Sequence, residues 1–228
     1  MYRNAHFYFL LVFLVVLGGF GPTFYTRLGE TRLPYLIHGA SATLWMVMLM
    51  AQSWLITHGQ SRWHRRIGWN SVVVLPVLIA SGFYMVRLML SVRFEDYGPL
   101  AYSLALIDIP SLLLLAAFYV LAIVHRRTVK LHSRYMAATV ILLLPPALGR
   151  FLMFWVPGIE SLPQVLNPMM LLTELVAVGL VVDDWRGGKV CPPYVITLGF
   201  LVAVHAFMWP VQEMAWWHGF TGWFAGTG

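Results

Sequence analysis

Apolar residues in this chain gather into about seven runs of roughly 20 residues, the length at which a helix rising 1.5 Å per residue crosses a hydrocarbon layer. The runs cover residues 6–25, 35–57, 67–90, 101–124, 131–156, 164–182 and 193–216. Of the 228 residues, 60% are hydrophobic and 11% charged, with a mean hydropathy of +0.74. A soluble domain carries about one quarter charged residues, so this chain has too little polar surface to cover its apolar side chains in water. No run alternates apolar and polar residues as a membrane β-barrel requires. The expected fold class is all-α: a polytopic membrane bundle of about seven transmembrane helices, in a single transmembrane domain covering residues 1–228.

The formal charge of +6 invites a nucleic-acid partner, and its distribution argues against one. With the N-terminus inside, the inner segments hold Arg3, Arg62, Arg65, Arg66, Arg126, Arg127, Lys130, Arg134, Arg186 and Lys189. The outer segments hold Arg27, Arg32, Arg87, Arg93 and Arg150. Ten cations against five is the positive-inside asymmetry, which places the C-terminus outside and makes the lipid bilayer the main partner. The first run is expected to stay as a helix, because no small-x-small cleavage pattern precedes Tyr25. The lone cysteine, Cys191, allows no intramolecular disulfide and no cysteine-based metal site.

A pattern recurs within the chain. Arg62-Trp63-His64-Arg65-Arg66 opens the third run, and Lys130-Leu131-His132-Ser133-Arg134 opens the fifth. A second histidine stands upstream of each block (His58, His125), and a proline interrupts each run near its middle (Pro76, Pro145). The spacing suggests a two-helix parallel repeat in helices two to five, with units at about residues 35–90 and 101–156. The Pro145-Pro146 pair is expected to widen the bundle at mid-depth.

Ionisable groups inside hydrocarbon cost about 2.5–3.5 kcal/mol each on insertion scales, so each needs a partner or a purpose. Counted by helical rise, they fall into three levels. His38, Asp108 and Arg150 share the outer level, as an ion pair that fixes register or as a polar site for a substrate or proton. Glu174 and His205 form a mid-membrane polar pair on neighbouring helices. His64 and His132 lie at the inner boundary amid arginines. Two facing imidazoles can ligate one haem iron, with Arg62, Arg66, Lys130 and Arg134 available to the two propionates. The competing account makes both histidines interfacial anchors facing lipid phosphate.

The stretch from His38 through Trp45, Gln52 and Gly59 to His64-Arg65-Arg66-Ile67-Gly68 resembles a group of uncharacterised bacterial integral-membrane proteins with a His-Arg-Arg-Leu-Gly type motif. Lys130 to Met136 and Pro145 to Arg150 are similar to that group's second half. The likeness spans helices two to five and implies a multi-pass protein of the cell inner membrane, without implying a reaction. A looser resemblance to di-haem transmembrane b-type cytochromes implies haem b as cofactor. Those proteins need two histidine pairs at opposite depths, and here only His38 and His205 are left for the outer pair.

Three functions follow as expectations. One is a haem b-binding electron-transfer or reductase-type subunit using His64 and His132, with a membrane redox partner or a second copy of itself. Another is a transporter or small-molecule-binding protein using His38, Asp108 and Arg150. The third is a non-catalytic accessory or assembly subunit. No nucleotide loop, serine elbow or zinc motif occurs, so the sequence alone leaves the catalytic residues and the question of enzyme activity open.

Overall fold

Each apolar run contributes at least one helix, because a chain in lipid must satisfy its backbone polar groups internally. A computed structural model describes residues 5–227, which leaves Arg3 outside the described residues. The helices are α1 (Ala5–Phe20), α2 (Leu33–Thr57), α3 (Ser61–Gly68), α4 (Ser71–Ser91), α5 (Phe94–Tyr97), α6 (Leu100–Val124), α7 (Val129–Leu142), α8 (Leu144–Trp155), α9 (Leu162–Arg186), α10 (Pro192–Phe207) and α11 (Ala215–Ala225). Short 3-10 turns lie at Tyr25–Arg27 and Pro210–Glu213, and no strand occurs among the described residues.

Four helices, α2, α4, α6 and α9, are long and apolar enough to cross a membrane, and α7 with α8, bent by 41° where they join, has the length and composition for a fifth span or a re-entrant loop. The apolar helices α1 and α10 have 16 residues each. That is about 24 Å of helix, short of a hydrocarbon core of about 30 Å.

Three boundaries differ from the sequence reading. The third run does not begin its helix at Ile67. That residue lies in the last turn of the basic helix α3, and Trp69 and Asn70 separate α3 from α4. The fifth run is two helices. Pro145 and Pro146 remove two successive N–H donors, and their rings crowd the preceding turn, so the helix breaks at Leu143. Single prolines at 76, 110 and 168 are carried inside α4, α6 and α9 without a break. The seventh run stops at Phe207, and α11 folds back against α4 and α6. Trp217 Nε1 donates to the Tyr102 carbonyl (3.1 Å), and Arg87 Nε donates to that of Ala225 (3.3 Å).

Local chemistry fixes the helix ends. His58 closes α2, and Gly59 at φ 74° lets Gln60 N–H reach back to the Leu55 carbonyl (2.8 Å), a 6→1 closure. Gly188 closes α9 in the same way, with Lys189 N–H bonded to the Asp184 carbonyl (3.2 Å). The start of α9 is a capping box between Ser161 and Gln164.

Packing closes a circuit in which α1, α2, α4, α6, α7, α10, α9 and α8 each touch the next, and α8 returns to α1. Trp45 fills the space enclosed by α2, α4, α6 and α7. It is fully buried, and its Nε1–H donates to Thr139 Oγ1 (3.3 Å). The seam between α1 and α8 is a backbone contact: a Cβ on Gly19 would collide with the Ala147 carbonyl oxygen. Leu11, Leu113, Leu175 and Val202 point outward, as a lipid-facing surface requires.

Candidate functional site

The ends of α2 and α6 lie beside the starts of α3 and α7, and this juxtaposition brings His64 and His132 together. Their ring centres stand 6.4 Å apart, with the ring planes at 79°. Each Nδ1 faces a main-chain carbonyl: His64 that of Gln52 (3.3 Å) and His132 that of Ala122 (2.9 Å). A carbonyl can only accept, so both Nδ1 atoms carry a proton, and the Nε2 atoms are left for another partner. This is how a protein fixes the tautomer of a ligating imidazole. Burial lowers the pKa of His64, aided by His132 and Arg65 and opposed by the Gln52 carbonyl, so the ring is neutral near pH 7.

Gln52 adds a second observation. Its residue is 8% exposed, yet neither Nε2 nor Oε1 has a hydrogen-bond partner. An unmade hydrogen bond at a buried amide costs about 1–3 kcal/mol. The amide lies over Gly68, one helical turn from His64, where a Cβ would come within 3.6 Å of Nε2.

The four cations expected for propionates do not act as one set. Arg134 is 8% exposed and forks onto Asp184, with Nε at 2.6 Å from Oδ1 and 2.9 Å from Oδ2 and with Nη2 on Oδ1. Lys130 Nζ donates to the Lys189 carbonyl (3.2 Å). Arg62 and Arg66 lie on the exposed side of α3, with Arg66 over the Trp63 ring at 5.5 Å. The cations near His64 are therefore those of α3, including Arg65, because a buried carboxylate engages Arg134. His58 stacks on Trp54 (4.4 Å) and His125 on Tyr135 (6.0 Å).

At the opposite end of the bundle, the expected Asp108–Arg150 ion pair does not form. Arg150 bonds the Pro146 carbonyl (3.1 Å) and lies over the Phe20 ring (4.6 Å). The physical reason is the break at Leu143, which leads α8 onto α1 and α9 instead of along α6. The charge of Arg150 still reaches both Asp108 and His38 through space. His38 Nδ1–H donates to Ser81 Oγ (3.1 Å), whose hydroxyl is committed to the Leu78 carbonyl. Asp108 makes no hydrogen bond among the described residues. Glu174 and His205 do meet, with Oε1 and Nδ1 2.9 Å apart.

Asp184 is the residue that sequence reasoning missed. Besides Arg134, it accepts the main-chain N–H of Cys191 (3.1 Å) and so ties α7, α9 and the start of α10 together. Among the described residues, no group of three or more His, Cys, Asp and Glu side chains could hold a metal ion.

Comparison with known proteins adds no relative. No protein-family model, no curated protein and no solved structure matches the chain.

Proposed function

We propose that this integral membrane protein is a haem b-binding electron-transfer or reductase-type subunit, in which His64 and His132 would hold the iron. The observation that carries the reading is the pair itself. Two imidazoles sharing one metal at about 2.0 Å per bond stand roughly 6 Å apart, centre to centre, and these stand 6.4 Å apart with each Nδ1 on a main-chain carbonyl. Among the described residues no third His, Cys, Asp or Glu joins the two imidazoles, and a two-donor set would suit haem iron better than a bare cation. The orphaned Gln52 amide beside them fits a group that supplies a hydrogen-bond partner. Bound there, haem b would supply one-electron chemistry, while the protein sets its orientation and surroundings.

The reading includes a seven-span topology in the inner membrane, N-terminus inside, with α1 and α10 as short spans. It also includes the parallel repeat of α2–α4 with α6–α8, and membership of the uncharacterised family with the His-Arg-Arg-Leu-Gly type motif. The 25-residue lengths of α2 and α6, each closed by a histidine, support the repeat.

Protein purified from cells fed a haem precursor should show a Soret band. His64→Ala and His132→Ala should each abolish it while leaving membrane insertion intact. Because burial depresses the His64 pKa below 6.5, the band should weaken as pH falls through that depressed value, where a proton competes for Nε2. Colourless wild-type protein would sink the reading. A small-molecule site at the outer level is the second reading, favoured by the unpartnered Asp108 carboxylate; it predicts that Asp108→Asn abolishes ligand-dependent stabilisation and leaves the Soret region unchanged.

A further inference from the structure

At the end of the bundle remote from the histidine pair, α2 begins beside the place where α4 ends. Between them lies a cleft of about 210 Å³. Arg32 and Tyr35 wall it from α2 and its N-cap, Tyr84 and Arg93 from α4 and the residues after it, over an apolar floor of Pro34, Leu88 and Val92. No acidic side chain lines it. Asp96 holds Arg93 through Nε (2.9 Å), Tyr35 on the facing wall also interacts with the guanidinium, and the Tyr97 ring lies 5.3 Å from it. That carboxylate, the largest influence on the group, raises the Arg93 pKa further, so the cation is permanent. Arg32 makes no side-chain hydrogen bond or ion pair among the described residues.

We propose that this cleft binds the phosphate of an anionic phospholipid headgroup. Two guanidiniums converging from different helices, with tyrosine hydroxyls beside them, match the several oxygens of a phosphate. The opening turn of α2 adds unpaired N–H groups and the positive end of its dipole. Both helices are membrane-crossing spans, so their shared end lies at headgroup depth. Leu88 and the largely exposed Val92 continue the cleft with an apolar strip for a glycerol backbone and acyl chain. Both arginines are exposed, and both wall the same cleft, with the Asp96 carboxylate engaging only Arg93. Free inorganic phosphate offers the same oxyanion without the apolar part, and a comparison of ligands separates the two sources.

The test uses the full chain in dodecyl maltoside micelles, with thermal stability and native mass spectrometry as readouts. Added phosphatidylglycerol should raise Tm by several degrees and stay bound, whereas phosphatidylcholine should do neither. Arg32→Gln combined with Arg93→Gln should remove the Tm gain and lower lipid retention at least tenfold. Arg32→Gln alone, at a side chain with no internal partner, keeps the test valid if the double variant fails to fold, and it should weaken retention severalfold. Equal retention of both lipids, or full retention by Arg32→Gln, overturns the proposal. A Tm gain from inorganic phosphate without one from phosphatidylglycerol overturns the lipid as the source.

Discussion

Arg134 shows how a single partner redirects a residue. Beside His132 in a basic block, it reads in sequence as one more cation available to a bound anion. In the structure its fork is closed on Asp184, a carboxylate only 1% exposed. Removing one member of such a pair strands a buried charge, so Asp184→Asn should destabilise the protein by about 3 kcal/mol or more. Replacing both with apolar residues, Arg134→Met with Asp184→Leu, should cost much less. Chemical denaturation of Arg134→Met, Asp184→Leu and the double variant in micelles measures the difference, and additive losses would show that the pair is uncoupled. Asp184 was legible only in part. It sits next to Asp183 at a helix end, which reads as a solvated acidic terminus. Its position nevertheless continues the buried stripe of α9 through Met170, Thr173 and Ala177 at helical spacing. The partner lies 50 residues away, a pairing that no local pattern reveals. His64 and His132 are more legible because the same block occurs twice, although no local pattern shows that main-chain carbonyls accept from both Nδ1 atoms.

Helices carry the next lesson. Hydropathy located every run because it measures compatibility with lipid, but it is blind to where the backbone breaks. Pro76 and Pro145 look equivalent in sequence. One is absorbed within α4, and the other, doubled by Pro146, ends a helix and turns the chain by 41°. That turn separates Asp108 from Arg150, so the matched depths read from helical rise did not produce contact. Straightening the span should bring them closer. With Pro145→Ala and Pro146→Ala in place, Asp108→Cys and Arg150→Cys should cross-link severalfold faster under mild oxidation than the same cysteines with the prolines kept. Equal rates would mean that something other than the proline pair holds α8 on α1. The seventh run was misjudged for a related reason: its tryptophans suit an interfacial helix such as α11 as well as the end of a span.

At the scale of the whole molecule, the proposed sidedness rests on the distribution of arginine and lysine. Reporter fusions after Arg127 and after Glu160 should fall on opposite faces of the membrane, because the bent α7–α8 span lies between them. The same face at both would make that span a re-entrant loop. The circuit of helices has a further consequence, in the time course of synthesis. Trp155 Nε1 donates to the carbonyl of Gly18, 137 residues earlier in the chain. At about 5–20 residues per second, α1 must wait on the order of ten seconds for α8, held meanwhile by α2 alone. Helix α1 is thus locked in place only after α2, α4, α6 and α7 have been made. A slow or stalled ribosome would leave the glycine face of α1 open to any other helix that offered a small enough surface.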